Sequence, residues 1–274
     1  MAEYITSIHN PLIKQVRSLQ LKKYRDKLGL FVVEGVRLTE EACKAGWEIT
    51  ALIYSEAVEE NSRVQAVLKG RQNTRSRIVK VPPTVLAKIS ETTQPQGIMA
   101  VLRKRRFSWQ DIVEQDKLLL CILDNLQDPG NVGTLIRTAD AAGCKGVILS
   151  AGCADVFAGK TVRASMGSLF HLPVITDVEL PEIYSRLKAA GVKITATSLA
   201  TDKLYYEADL TGAMAIVFGN EGSGIGEVTK EAADELVKIP IYGQAESLNV
   251  AAAAAVLFYE AVRQRQVADK LVLG

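Results

Sequence analysis

Two apolar stretches, LLLCILD at 118–124 and AMAIVFG at 213–219, constrain the fold more than any other feature of the chain. Neither carries a polar side chain before its last position, so neither shows the alternation of a strand with one wet face. Strands of this kind are covered on both sides, which implies a parallel sheet with helices over each face. The flanking pattern agrees. GNVGTLIRTADAAG, PEIYSRLKAAG and EVTKEAADE read as helices, and GVILS, KITATSL and ELVKIPI read as strands. TVRASMGSLFHLPV reads as a helix and then a strand, and a last helix is expected to start near Ser247, which can serve as its N-cap. Residues 117–274 therefore form one expected α/β domain.

A second α/β pattern precedes it. Residues 4–28 read as a helical segment, with Leu12, Ile13, Val16 and Leu19 at a 3.6 period and a stop at Gly29. Strands are expected at LFVVEG (30–35), EITALIYS (48–55), RIVKVPP and GIMAVLRK, with helices at VRLTEEACKAG, about 57–70 and TVLAKISET. The boundaries follow as a smaller α/β domain at 1–106 and a charged linker at 107–116. Net charge divides at the same place. The overall +2 conceals 19 Lys and Arg against 10 Asp and Glu in 1–106, and 14 against 21 in the remainder. A basic first domain suits a polyanion such as RNA or DNA. Lys14, Arg17, Lys22, Lys23, Arg25 and Lys27 lie largely off the apolar stripe, as a phosphate-tracking face would.

Composition excludes several classes. No run of about 18 apolar residues is present, and the N-terminus lacks the apolar core of a secretory signal, so a cytoplasmic protein is expected. Cys43, Cys121, Cys144 and Cys153 form no CxxC pair and read as free, buried thiols. With only His9 and His171, neither a zinc site nor the usual Ser-His-Asp or Cys-His catalysis is indicated, and no metal is expected.

Ligands of open parallel sheets sit beyond the carboxyl ends of the strands, and three loops at such ends are unusual. In LDNLQDPGNVGTLIRTADAAG (123–143), Asn131 can cap the following helix, and Arg137 lies among small and apolar neighbours where its fork can meet a phosphate. FGNEGSGIG (218–226) places four glycines beside Asn220 and Glu221. Neither GxGxxG nor a Walker loop fits it, which leaves a bare backbone that a flat or bent ligand can approach. IPIYGQAESLNVAAAAAVLFYE (239–260) ends a strand and opens a helix with Ser247-Leu248-Asn249 and then five alanines, small enough for close helix packing.

DPGNVGTLIRTA, FGNEGSG and IPIYGQAESLNVAAA, in that order, resemble the motifs of the SpoU (TrmH-type) RNA ribose 2′-O-methyltransferases of the SPOUT superfamily. The resemblance covers about 118–260, and SIHNPLIKQVRSL with FVVEG is similar to the RNA-binding domain that precedes such catalytic domains. Asp128 departs from the asparagine common before that proline. The resemblance implies an α/β SPOUT domain with a deep trefoil knot, a homodimer formed through it, and S-adenosylmethionine as cofactor. It places the cofactor against Thr197, Ser198, Leu199, Gly219, Asn220, Glu221, Ile239, Ile241, Ser247, Leu248 and Asn249. It assigns the catalytic group to Asn131, Arg137, Glu221, Ser247 and Asn249. A guanidinium stays protonated, so Arg137 is expected to hold the phosphate beside the target ribose, with Asn131 and Asn249 orienting it and the ribose. Whether Glu221 fixes its own loop or Arg137 stays open at this level. Ribosomal RNA is the favoured substrate and transfer RNA the alternative. Competing readings are a non-catalytic RNA-binding or ribosome-assembly protein, base methylation, and a nucleotide-dependent oxidoreductase, which the failed GxGxxG disfavours.

Overall fold

The computed structural model describes residues 2–71, 74–113 and 118–273, with side chains to Lys270. Residues 114–116 of the expected linker, and Lys117 at the expected start of the second domain, lie outside the described residues. Two units emerge, Met1–Arg105 with Phe157–Phe170 and Arg106–Val156 with His171–Gly274. The sequence division assigns 157–170 to the second domain, whereas its packing groups it with the first unit.

The first unit contains β1 (Glu3–Tyr4), α1 (Pro11–Ser18), α2 (Lys22–Leu28), β2 (Leu30–Glu34), α3 (Val36–Lys44), β3 (Ile49–Ser55), α4 (Ser62–Lys69), β4 (Arg77–Val81), α5 (Pro83–Ile89) and β5 (Ile98–Arg103). Its mixed sheet has the order β1-β4-β3-β5-β2, with β5 antiparallel to both neighbours. Leu12, Ile13 and Val16 of α1 and Val85, Leu86 and Ile89 of α5 cover one face of the sheet.

The expected single helix over 4–28 is instead a short strand and two helices. Asn10 caps α1, with its side chain accepting from Leu12 N at 2.9 Å, and Pro11 opens it. Arg25, expected on a phosphate-facing surface, is only 4% exposed. Its guanidinium donates to the carbonyls of Leu19 and Gln20 at 2.7 and 2.8 Å, and so holds the corner between α1 and α2. The buried side chain joins the helices; it is not available to RNA.

After α6 (Gln110–Val113), the second unit runs through β6 (Leu119–Leu123), α7 (Pro129–Ala141) and β7 (Gly146–Ser150). The next helix, α8 (Gly159–Ala164), sits in the first unit. There Phe157 packs on Phe31 with ring centroids 4.8 Å apart, and Phe170 packs on Trp47 at 5.4 Å. The Trp47 indole N–H donates to the Phe170 carbonyl at 3.2 Å. The second unit resumes with β8 (Val174–Val178), α9 (Leu180–Ala189), β9 (Lys193–Thr197), β10 (Met214–Phe218), α10 (Glu227–Ala232), β11 (Glu235–Val237) and α11 (Val250–Leu273).

Its six strands are all parallel, in the order β11-β9-β10-β6-β7-β8. The two apolar stretches that demand double coverage, β6 and β10, are the central pair. On one face Leu120, Ile122, Ala215 and Val217 meet Ile183, Tyr184 and Leu187 of α9. On the other, α7 and α11 pack together, and the rings of Phe218 and Phe258 lie 5.4 Å apart. The chain leaves β6 toward β7 and β8, then returns on the far side of β10. The strand order therefore reverses between β6 and β10, and their carboxyl ends open into a crevice.

Two expected caps are corrected. Asp128, not Asn131, caps α7, its Oδ1 accepting from Asn131 N at 2.8 Å. Asn249, not Ser247, caps α11, its Oδ1 accepting from Ala251 N at 2.9 Å. In both cases the acceptor that precedes the first helical turn takes the role, so α7 starts earlier than an Asn131 cap would give, at Pro129, and α11 later than a Ser247 cap would give, at Val250. β11 is also shorter than ELVKIPI, and 238–249 carries no helix or strand.

Candidate active site

The loops after β9, β10 and β11 surround an open cleft of about 710 Å³, a size suited to a small-molecule ligand. All the positions expected to hold the cofactor line it. Thr197, Ser198 and Leu199 enter from the end of β9, Gly219, Asn220 and Glu221 from the end of β10, and Ile239, Ile241, Ser247, Leu248 and Asn249 from the segment before α11. Phe218, Val237, Glu246 and Ala253 are among the further lining residues that escaped the sequence reading. The donor set fits an adenosine-bearing cofactor. Apolar side chains can flank a flat base, and the backbone at Gly219 carries no side chain.

The glycine loop is held closed by its own backbone. Asn220 N donates to Gly224 O and Gly224 N to Asn220 O, both at 2.9 Å. The Asn220 side chain fills the turn, accepting from Gly222 N at 2.9 Å and Ser223 N at 3.1 Å. Its amide donates across to the Asn125 carbonyl at 2.9 Å. Gly224 adopts φ +71°, which a glycine reaches without strain.

Three of the five expected catalytic residues meet in one chain of hydrogen bonds. Asn249 Nδ2 donates to Asn131 Oδ1 at 3.0 Å, and Asn131 Nδ2 donates to Glu221 Oε1 at 3.0 Å. The polarity is set from the carboxylate. Glu221 can only accept, so Asn131 turns its amide nitrogen to it, which leaves the Asn131 oxygen for Asn249. Glu221 also accepts from Asp128 N at 3.3 Å and Gln127 N at 3.4 Å. Glu221 thus fixes a third partner, the loop after β6, in place of either its own loop or Arg137. Burial pushes its carboxyl up, but the bond from Asn131 and the backbone N–H groups of Glu221, Asp128 and Gln127 outweigh it and hold the group below its ordinary value.

A carboxyl depressed in the folded chain stabilises fully above its unfolded value, about 4.3, and loses that contribution as pH falls through the lower folded value. Glu221→Gln is accordingly expected to lower stability near neutrality and to flatten the acid limb, the difference from wild type closing as pH falls through the lowered folded value. Thermal melts from about pH 3 to pH 7 check this, and parallel curves for the two proteins would refute it.

Arg137 and Ser247 stand outside this chain of bonds. Arg137 is exposed on α7, six positions beyond Asn131 and so roughly 9 Å along the axis. Among the described residues its side chain makes no hydrogen bond or ion pair, and Ser247 makes no hydrogen bond. No helix is long and apolar enough to cross a membrane, and no cluster of His, Cys, Asp and Glu is placed to hold a metal, among the described residues.

Comparison with known proteins places these features in context. Residues 118–259 match the SpoU rRNA Methylase family, and residues 10–100 match the MRM3-like substrate binding domain. The chain is 39% identical over 255 residues to the 23S rRNA (guanosine(2553)-2'-O)-methyltransferase RlmP of Bacillus subtilis, covering 93% of this chain and 97% of that one. It is 33% identical over 247 residues to the 23S rRNA (uridine(2479)-2'-O)-methyltransferase of Streptomyces viridochromogenes, covering 88% and 85%. Among solved structures, the AdoMet-bound rRNA methyltransferase from Sinorhizobium meliloti superposes with a TM-score of 0.87 at 35% identity, covering 96% of this chain and 98% of that one.

Proposed function

The chain belongs to the SpoU rRNA methylase family, and from that premise we propose that it methylates a ribose 2′-hydroxyl of ribosomal RNA with S-adenosylmethionine as donor. The observation that carries this reading is the Asn249–Asn131–Glu221 chain, which ties Asn131 of the first motif loop to Glu221 and Asn249, both lining the cleft formed by the other two. The cofactor supplies a methyl group activated on a sulfonium. The chain's own residues bind and orient the acceptor. Each of the two amides keeps one N–H beyond the bond it donates within the network, available to oxygens of the target nucleotide. Glu221 is committed to several donors, so it acts as a lock on the loops and not as a proton acceptor. Arg137, exposed and permanently charged, grips the phosphate beside the target ribose. Arg137→Lys is expected to lose this bidentate grip.

The finer architecture belongs to the same proposal. The segment 238–249 and α11 form a deep trefoil knot around the cofactor, and the knotted domain dimerises. In support, α11 leaves Ala252 and Tyr259 exposed although α7 covers its other side. The protein acts in the cytoplasm, where its substrate is made.

The first unit grips RNA. Lys14 and Arg17 are exposed on α1 and unpaired among the described residues, unlike the buried Arg25. Replacing either by alanine is expected to lower the slope of log affinity against log salt by about 1. Binding titrations across salt test this, and an unchanged slope would remove that residue from the interface.

The function itself is tested with methyl-labelled S-adenosylmethionine and undermodified ribosomal and transfer RNA in parallel, followed by alkaline hydrolysis. Label retained in dinucleotides from ribosomal RNA is the expected result, because 2′-O-methylation removes the nucleophile alkali needs. Label in transfer RNA would change the substrate, and label in mononucleotides would move the chemistry to a base. No incorporation despite cofactor binding would favour a non-catalytic protein on this fold.

A further inference from the structure

An acidic residue closes the otherwise apolar β6 run, and the structure buries it. Asp124 is 8% exposed, yet it lines no part of the cofactor cleft. Its Oδ2 accepts from Gly226 N at 2.9 Å and from Thr229 Oγ1 at 2.7 Å. The fully buried Thr229 hydroxyl also lies 2.7 Å from Tyr184 Oη. Thr229 has one hydroxyl proton and gives it to the carboxylate, so Tyr184 donates to Thr229 and the three groups form one directed relay. Asp124 N donates to Phe218 O at 2.9 Å, and the next residue, Asn125, accepts from Asn220 Nδ2 at 2.9 Å. Adjacent residues therefore hold both ends of the glycine loop, Asn125 its entry and Asp124 its exit. Glu221 lies between the two anchors.

We propose that Asp124, backed by Thr229 and Tyr184, is a positioning residue for methyl transfer: it sets where the 219–226 loop sits and, through Glu221, where Asn131 and Asn249 present their N–H groups. Burying a carboxylate is costly, and its two hydrogen-bonded partners, one of them backed by Tyr184, offset that cost only in one geometry. The carboxylate is thus more than a packing element, since it ties the end of β6 to the exit of the loop after β10 without itself lining the cleft. This inference rests on the methyl-transfer reading above.

The test compares wild type, Asp124→Asn, Thr229→Val and the double variant, each as the full chain. Turnover at saturating S-adenosylmethionine and ribosomal RNA, KM for RNA, and the thermal midpoint are measured together. Thr229→Val removes one link of the relay while keeping the side-chain volume, so it reports even where Asp124→Asn fails to fold. The expected result is a fall in kcat of about tenfold per folded molecule in each single variant, with KM for RNA within about twofold. The double variant should fall little further, because both changes break the same relay. A purely structural role would lower the midpoint and leave kcat per folded molecule unchanged, and a Thr229→Val enzyme within about twofold of wild type overturns the proposal. Absence of methyl transfer by the wild type would instead overturn the underlying reading, and this inference with it.

Discussion

Replacing Asn131 by aspartate should lower kcat by about 10²-fold or more while the chain stays folded. The Asn131 amide donates to Glu221 at 3.0 Å, and an aspartate there would face one carboxylate with another. Two like charges at that distance cannot both remain ionised at low cost. Glu221 would leave the Gln127 and Asp128 amides, or one carboxyl would take up a proton. The protonated form can again donate to Glu221, so the defect should ease as pH falls and deepen as it rises. Label incorporation against pH, with thermal midpoints as a control on folding, decides this. An aspartate variant with more than about a third of wild-type turnover would show that the Asn131–Glu221 bond does not govern the site.

Gly219→Ala is the second change with a large expected effect. A Cβ built at Gly219 would lie 2.2 Å from Gly224 C, 2.3 Å from Ile225 N and 2.4 Å from Gly224 O. These are backbone atoms, so no side chain can swing away, and the loop after β10 must open. The cost should be about 3 kcal/mol, toward the upper end for overpacked sites. Cofactor affinity should fall with it, because Gly219, Asn220 and Glu221 all line the cleft. Chemical denaturation and calorimetric titration with S-adenosylmethionine measure the two effects separately. Unchanged cofactor affinity would mean that the closed 220–224 backbone pair is irrelevant to binding.

The second sheet was legible because burial on both faces leaves a plain mark. LLLCILD and AMAIVFG have no polar alternation, and they are the central strands. The three loops were legible for the same kind of reason, since glycines, amides and a carboxylate directly after such strands have little packing to do. What escaped were features decided by distant contacts. Arg25 reads as one cation in a basic helix until the carbonyls of Leu19 and Gln20 turn it inward. Asp124 reads as the polar end of a strand, and only the approach of Gly226 and Thr229 reveals its role. The caps were misplaced because Asn131 and Ser247 are good capping residues in isolation, while Asp128 and Asn249 meet the first free amides. Arg137 belongs with Asn131 by motif, while six positions of helix rise set the two apart along α7.

The segment from Phe157 to Phe170 bears on how such chains can be cut or recombined. Its aromatic rings use Phe31 and Trp47 as their socket, so an excised fragment beginning at 118 would carry hydrophobic plugs with nothing to receive them. Such a fragment should precipitate unless those residues are made polar. By the same logic, a chimera that imports a relative's first hundred residues must import that relative's version of 157–170 as well. The unit of exchange is two pieces of sequence, one of them embedded within the partner's coding span, and shuffling at a single crossover would yield mismatched halves.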